Sequence, residues 1–396
     1  MKSSHVIGID LSDTTLDVVL LSFADGAYIV DKQHSVDVPD GLVVNGVLTD
    51  VSRVATFVKE QCNTAGIALT ENIPCAWVVP QCITYTHVYT HTNTDEPALS
   101  REAMIQAAVK LAPLSSDNTA VSYLHPQDDL DIVVVSAKQV VEQWQACATA
   151  VSGAKQRFFL EGYSALLGLD MPKESGPYVI VDVGGRSTVV TAVVDNHVRG
   201  MFVSPIAGMY MTQEIARTQE CDIVTAEEMK RTKGIGSKSP LALVIKPVLD
   251  LLSTRIRSAV DFLEKKFALS FQSAVYIGGT LQMKGLQTLL EKQIGLVQMD
   301  GALEHNQSAI CAIGAARAYH EGVEYSIFTD LYTKPARFAL LNRTPKEIPA
   351  SVEVPHTQPL PDVSAHHVFA WRMIAIALGC IVVCAASLVV WLFFYT

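Results

Sequence analysis

The sequence predicts an α/β protein of two lobes, each opening on the same β-turn-β-turn-β unit, with one C-terminal membrane helix. Three observations predict it. Short apolar strands separated by small polar turns occur near residue 6 and restart near residue 178, and internal duplication of this kind bears directly on the fold. Longer segments with apolar residues at helical spacing follow each run. Residues 373–395 read MIAIALGCIVVCAASLVVWLFFY, without a charge.

In the first run, residues 6–9 read as a buried strand and Ser12-Asp13-Thr14-Thr15 as a turn whose side chains bond their own backbone. Residues 16–23 continue as a strand, Ala24-Asp25-Gly26 as a hairpin turn, and residues 27–38 as the next strand. Val51, Val54, Phe57 and Val58 place a helix over residues 51–62. Residues 75–80 and 132–137 read as strands, and residues 102–111, 140–151 and 162–169 as helices. In the second run, residues 178–183, 188–194 and 197–205 are strands, joined by Gly184-Gly185-Arg186-Ser187 and by Asp195-Asn196. Helices at 212–217, 225–232 and 241–267 follow, then a strand at 274–277 ending in Gly278-Gly279, then a small-residue helix at 309–319. From about residue 321 to 370, Pro335, Pro345, Pro349, Pro355, Pro359 and Pro361 interrupt a stretch of no clear period, which reads as a poorly ordered linker.

The chain has 396 residues, with 30 Lys+Arg against 40 Asp+Glu and a formal charge of −10. That balance, with no basic stripe, argues against nucleic-acid binding. Cys62, Cys75, Cys82, Cys147, Cys221, Cys311, Cys380 and Cys384 form no C-x-x-C or zinc spacing and read as small apolar residues in a reducing compartment. The opening MKSSHVIGID meets Asp10 too soon for a signal peptide, which places the N-terminal part in the cytoplasm. Residues 373–395 would span about 34 Å as a helix, enough for a ~30 Å hydrocarbon core. Arg372 flanks its front, and Trp371, Trp391 and Tyr395 sit near its ends, so the expected topology is N-terminus inside, C-terminus outside.

Two hairpins that each present a small-residue turn after an Asp suit one job, gripping a polyphosphate between their backbone N–H groups. Asp10, in IGIDLSDTT, and Asp182, in IVDVGGRST, would orient Mg²⁺ or its waters. Gly184 and Gly185 allow close backbone approach, while Ser187 and Thr188 add hydroxyl donors. VYIGGTLQMKGL, residues 275–286, puts Gly278, Gly279 and Thr280 at a strand-to-helix junction where a base or ribose could approach, and it does not fit a dinucleotide fingerprint.

The order of hairpin, hairpin and strand-Gly-Gly-helix resembles the actin, heat-shock chaperone and sugar-kinase ATPase fold, a duplicated ribonuclease H-like architecture. Within it, residues 5–320 are similar to the PilM family of type IV pilus assembly, with FtsA more distant. The resemblance is carried by VNGVLTDVSRVATFVKE, KLAPLSSDNTAVSY, GMYMTQEIA, AEEMKRTKG, IKPVLDLLSTRIRSAVDFLEKKF and AICAIGAARA. It implies a first lobe at 1–170 with an FtsA/PilM-type inserted subdomain at about 80–157, a second lobe at 171–322, a linker at 323–370 and a membrane helix at 371–396.

It also implies an ATP or ADP site with Mg²⁺, formed by Asp10, Leu11, Ser12, Asp13, Thr14, Asp182, Gly184, Gly185, Arg186, Ser187, Thr188, Gly208 and Gly278 to Thr280, with Asp10 and Asp182 toward the metal. By the chaperone pattern Glu227 bonds the ribose, Lys230 reaches ribose or base, and Arg231 lies over the adenine. One departure stands out. The family's first phosphate turn is D-x-G-S/T, but here Ser12 replaces the glycine, and the basic residue often found just after the turn is absent. The implied grip on ATP is therefore weak, altered or lost.

The function so implied is an inner-membrane scaffold with little or no ATP hydrolysis and no catalytic residue assigned. Its partners would be bitopic PilN/PilO-like proteins, a polytopic platform protein and the assembly ATPase, and a homo-oligomer is a further expectation. The alternatives are a type II secretion GspL-like platform protein, whose periplasmic domain has no counterpart before Thr396, or an active ATPase or kinase of the same fold. Arg337-Phe338-Ala339-Leu340-Leu341-Asn342 is either plain linker or a partner-like peptide that docks on the body.

Overall fold

Strand alternation and turn chemistry build the first sheet. β1 (His5–Leu11) and β2 (Thr15–Ala24) pair antiparallel with Asp10 opposite Asp17 and Leu11 opposite Leu16, and β3 (Ala27–Asp37) pairs on β2 through the Asp25-Gly26 turn. Both turn residues take positive φ, as a tight hairpin requires. The computed structural model describes residues 5–90, 99–127, 129–172, 175–235, 241–299, 309–323 and 326–328, all within the unit Met1–Thr333.

Before the first helix comes a second small hairpin, β4 (Val43–Val44) and β5 (Val47–Leu48), closed by Asn45 and Gly46 at φ 51° and 74°. α1 (Val51–Thr64) starts at Asp50, whose side chain accepts from the Arg53 N–H. β6 (Cys75–Val79) then runs parallel to β1.

β7 (Thr84–Thr90), α2 (Arg101–Leu111), β8 (Thr119–Gln127) and β9 (Leu130–Ala137) form a three-stranded sheet in the order β7-β9-β8. Met104, Ile105 and Ala108 of α2 pack with Val121, Val133 and Val135 in a small core of their own. The inserted subdomain was expected over about 80–157. Its separate core belongs to a shorter segment, because Val141, Trp144 and Cys147 of the next helix, α3 (Lys138–Val151), are buried in the main first-lobe core. Trp144 and Trp77 meet edge-on at 6.4 Å there.

β10 (Gln156–Leu160) joins β6 in parallel, and α4 (Glu161–Gly168) leads out of the lobe. The second sheet repeats the first. β11 (Tyr178–Val183), β12 (Thr188–Val194) and β13 (His197–Ser204) form the antiparallel meander. α5 (Gly208–Gln219), α6 (Ile223–Lys233) and α7 (Leu241–Phe267) follow, and α7 has the bounds its apolar spacing predicts. β14 (Ser273–Ile277) pairs parallel with β11. The expected direct run from this strand into a helix is instead a 3₁₀ turn at Gly279–Gln282, with α8 (Leu286–Ile294) starting later. β15 (Val297–Gln298) completes the order β13-β12-β11-β14-β15.

The chain then returns to the first lobe. α9 (Ile310–Glu321) falls within the segment expected to be second lobe, yet Ile310 to Ala316 lie in the first core, packed on α4 and β1. β16 (Ser326–Ile327) pairs with β10 at the edge of the first sheet, so the order there is β16-β10-β6-β1-β2-β3. Residues 326–328 were expected to be linker. Ser326 and Ile327 are strand instead, and Ile327 and Phe328 are buried, with Phe328 5.8 Å from Phe158 and its N–H held by Ser122 Oγ. The membrane segment at 373–395, the peptide at 337–342 and the rest of the linker lie outside the described residues. Among the described residues no helix is long and apolar enough to cross a membrane. The described cysteines are all free thiols, four of them buried.

Candidate functional site

The two lobes present matching turns. Leu11 pairs with Leu16, and Val183 with Thr188, across loops of equal length. The Ser12 N–H donates to Thr15 O at 2.9 Å, and the Gly184 N–H to Ser187 O at 3.0 Å. Ser12, Asp13, Thr14 and Thr15 thus correspond to Gly184, Gly185, Arg186 and Ser187, and Asp10 to Asp182.

The turns meet tip to tip. Arg186 Nε lies 3.1 Å from Asp13 Oδ2, and a Cβ on Gly185 would fall 2.5 Å from Thr14 Oγ1. Under the correspondence these are one contact seen from each side. Gly185 has no room for a side chain. Asp13 is held in place by the small hairpin, its carboxylate accepting the Asn45 N–H at 2.6 Å and the Gly46 N–H at 2.8 Å.

Donors are distributed unequally between the turns. Ser12 Oγ accepts from the Thr15 N–H at 3.0 Å and the Thr14 N–H at 3.3 Å, so the first turn caps itself. Ser12 does not have positive φ, so the strain that a serine in a glycine position would bring is absent. In the second turn the N–H groups of Gly185, Arg186 and Ser187 donate no backbone hydrogen bond among the described residues. Successive unspent amides of this kind form an anion-binding concavity. Thr188 cannot add its hydroxyl to it, contrary to expectation, because that hydroxyl is buried and donates to Ile206 O at 2.8 Å. Leu11 is fully buried, leaving only its backbone to the site.

Below the turns lies a group of carboxylates. Burial, then Asp17, Glu161 and Asp182, push the Asp10 carboxyl well above its usual range. Asp182 is raised chiefly by burial, partly offset by the Cys311 thiol at 3.8 Å from Oδ2. Glu161 is raised by burial and by Asp182, and its Oε2 accepts the Gln81 N–H at 2.9 Å. Glu161, Asp17 and Cys311 escaped the sequence reading. No motif marks them: the β1–β2 register sets Asp17 opposite Asp10, Glu161 follows β10 where it pairs parallel with β6, and the return of α9 brings Cys311. No three acids, histidines or cysteines among the described residues converge as a metal cage. Asp10 and Asp182 alone suit Mg²⁺, which retains waters and takes its other ligands from phosphates.

The remaining expected residues gather beside the second turn. Gly184 O accepts from the Gly208 N–H at 3.1 Å and from Thr280 Oγ1 at 2.6 Å, which fixes the turn against α5 and the 3₁₀ turn. Gly278 is buried, and Gly279 is exposed with open space above its Cα. Glu227, Lys230 and Arg231 come together but bind one another. Glu227 Oε2 accepts from the Thr212 hydroxyl at 2.6 Å and lies 2.7 Å from Lys230 Nζ. Burial raises the Glu227 carboxyl, but Lys230, Thr212 and Arg231 outweigh it and hold it below its usual range. Arg231 also reaches across to the first lobe, with Nη2 3.1 Å from Asp37 Oδ1.

Paired meanders with facing turns define the class, an actin-like fold. Solved structures with it include a PilM–PilN type IV pilus biogenesis complex at 18% identity and a TM-score of 0.66, covering 81% of this chain and 99% of that one. They also include MreB5 of Spiroplasma citri bound to ADP, at 10% identity and TM-score 0.51, covering 82% and 98%. EutJ of Carboxydothermus hydrogenoformans, an ethanolamine utilization protein, matches at 14% and 0.50, covering 79% and 89%. At these identities the likeness establishes the fold. Residues 8–299 match the sequence profile of the type IV pilus assembly protein PilM. The chain belongs to the PilM family.

Proposed function

We propose that this chain is a nucleotide-binding scaffold of the type IV pilus assembly platform, anchored in the inner membrane by residues 373–395 with both lobes in the cytoplasm. One observation carries the nucleotide reading: two corresponding turns meet tip to tip, and the second holds three unspent amides in a row. MreB5, solved with ADP, has the same fold, which supports ATP or ADP as the ligand. The PilM structure solved with PilN supports a bitopic PilN-like protein as partner. A PilO-like protein, the polytopic platform protein and the assembly ATPase complete the proposed set.

In this reading Gly185, Arg186 and Ser187 hold the phosphates through their amides, while Asp10 and Asp182 orient Mg²⁺ or its waters. Bound Mg²⁺ would offset the phosphate charge against the carboxylates. The exposed backbone at Gly279 accepts the nucleoside, beside the Glu227–Lys230 pair. Glu161 lies in the buried group with Asp10 and Asp182, where burial and Asp182 favour its protonated form, which suits a general base poorly.

The test is calorimetry and phosphate release on the full-length chain in detergent. The expected result is saturable Mg·ATP binding with turnover far below ~1 s⁻¹, the lower end of ordinary enzyme rates. No binding of either nucleotide overturns the nucleotide reading, and sustained turnover at enzyme rates overturns the scaffold.

A further inference from the structure

We propose that Arg186 recognises the terminal phosphate of the bound nucleotide, exchanging Asp13 for it, so that the site favours a nucleoside triphosphate over a diphosphate. The proposal rests on the nucleotide-binding reading above.

Four observations carry it. First, Arg186 is a cation at the junction of the two turns, and its counterpart on the first turn, Thr14, carries no charge. A phosphate entering between the turns meets one guanidinium, from one side. Second, the contact with Asp13 is incomplete. Arg186 Nε is 3.1 Å from Asp13 Oδ2, yet this buried nitrogen has no properly directed hydrogen bond. Third, Asp13 does not depend on Arg186, because its two oxygens already accept the N–H groups of Asn45 and Gly46. Releasing the guanidinium leaves the aspartate satisfied by those amides. Fourth, the two other cations assigned to the site are committed. Lys230 Nζ is buried among Glu227, Thr212 and the Gly208 carbonyl, and Arg231 binds both Glu227 and Asp37.

Arg186 is therefore the cation most readily transferred to a ligand. Its five donors in a planar fork match phosphate geometry. It also stands where the first turn offers little, since Ser12 Oγ already takes the Thr14 and Thr15 amides. Because the same guanidinium joins the two turns, a triphosphate that captures it replaces a direct contact between the lobes with one through the ligand. A diphosphate, held by the amides of the second turn, leaves the Arg186–Asp13 contact in place.

The experiment compares Mg·AMPPNP and Mg·ADP affinities of the full-length protein with those of Arg186→Ala and Arg186→Lys. The wild type is expected to prefer AMPPNP. Arg186→Ala should weaken AMPPNP by about tenfold to a hundredfold, the range for a charge-assisted hydrogen-bonded contact, and ADP by only a few-fold. Arg186→Lys should keep part of the preference, since the charge remains and the fork is lost. The ADP measurement reports folding of each variant. An unchanged preference in Arg186→Ala overturns the proposal, as does equal loss of both nucleotides or a wild type with no preference. A wild type that binds neither nucleotide removes the nucleotide reading itself, a distinct failure.

Discussion

Gly278 is packed directly against Asp182. A Cβ placed on Gly278 would lie 2.4 Å from Asp182 Oδ1 and 2.5 Å from Val183 O, and the residue sits at φ 105°, where side chains are strained. The glycine at the end of β14 therefore sets the position of the carboxylate at the end of β11. Gly278→Ala should cost about 2 kcal/mol or more in backbone strain and crowding. It should also push Asp182 out of line and weaken Mg·nucleotide binding. Thermal unfolding and calorimetry on one sample check both effects, and full affinity in a destabilised variant would separate Gly278 from the site.

The carboxylate group predicts a conflict between stability and binding. Asp10 and Asp182 have folded pKa values above the unfolded value, with burial the leading cause. Below the unfolded value, near 3.9, both states are protonated and the site costs nothing. As pH rises past it, the unfolded chain releases protons that the folded chain retains, so stability falls until the folded value is passed. Asp182→Asn should remove its share of that slope and raise the unfolding midpoint near pH 7 by a few degrees, about what ~1 kcal/mol gives. The same change should abolish Mg·nucleotide binding. A variant with unaltered pH dependence would show that burial does not hold Asp182 above its unfolded value.

His87 predicts the opposite slope. It lies on β7 of the inserted sheet, in an element that packs beside β13 of the second lobe. Burial, and then Lys266, lower its pKa to about 4. Its folded value is depressed, so the stability it contributes is complete above the unfolded value near 6.5 and is lost as pH falls toward 4. Unfolding midpoints measured from pH 7 to pH 4 should fall for the wild type and fall less for His87→Gln. Equal slopes in the two proteins would assign the acid sensitivity elsewhere.

The two meanders and α7 were legible because period-two alternation, tight-turn residues and a long apolar stripe are local signals. β7, β10 and β16 were not. TYTHVYT is polar and aromatic, QRFFL is short, and β16 has two residues. Each is a strand because tertiary pairing makes it one. The same limit applied at the site. The aspartates that end β1 and β11 and the glycines of the second turn could be read from spacing. Glu161 and Cys311 could not, since they join the site through sheet order and the return of α9, and Asp17, set opposite Asp10 by the β1–β2 hairpin, carries no motif. Glu227, Lys230 and Arg231 were read as contacts to a nucleoside, whereas their structure shows the bonds they make to one another and to Asp37.

Ser12 offers the sharpest test of how the first turn was altered. Sequence alone marks it as a side chain in a glycine position, an obstacle of bulk. The structure shows an internal ligand, since Ser12 Oγ occupies the amides of Thr14 and Thr15 and donates to Thr15 O at 3.0 Å. Ser12→Gly removes that oxygen, frees both amides and restores the D-x-G pattern. The protein should lose about 1 kcal/mol of stability, from the lost local hydrogen bonds and the greater freedom of glycine in the unfolded chain. The freed Thr14 and Thr15 N–H groups can then donate to phosphate oxygens, so Mg·ATP affinity should rise by about tenfold, the worth of one or two such bonds. Thr15→Ser serves as the control, because it keeps the Ser12 cap. Calorimetry and thermal unfolding together decide the matter. Lower stability with tighter binding confirms that the serine competes with the ligand, and lower stability with unchanged binding assigns Ser12 to holding the turn alone.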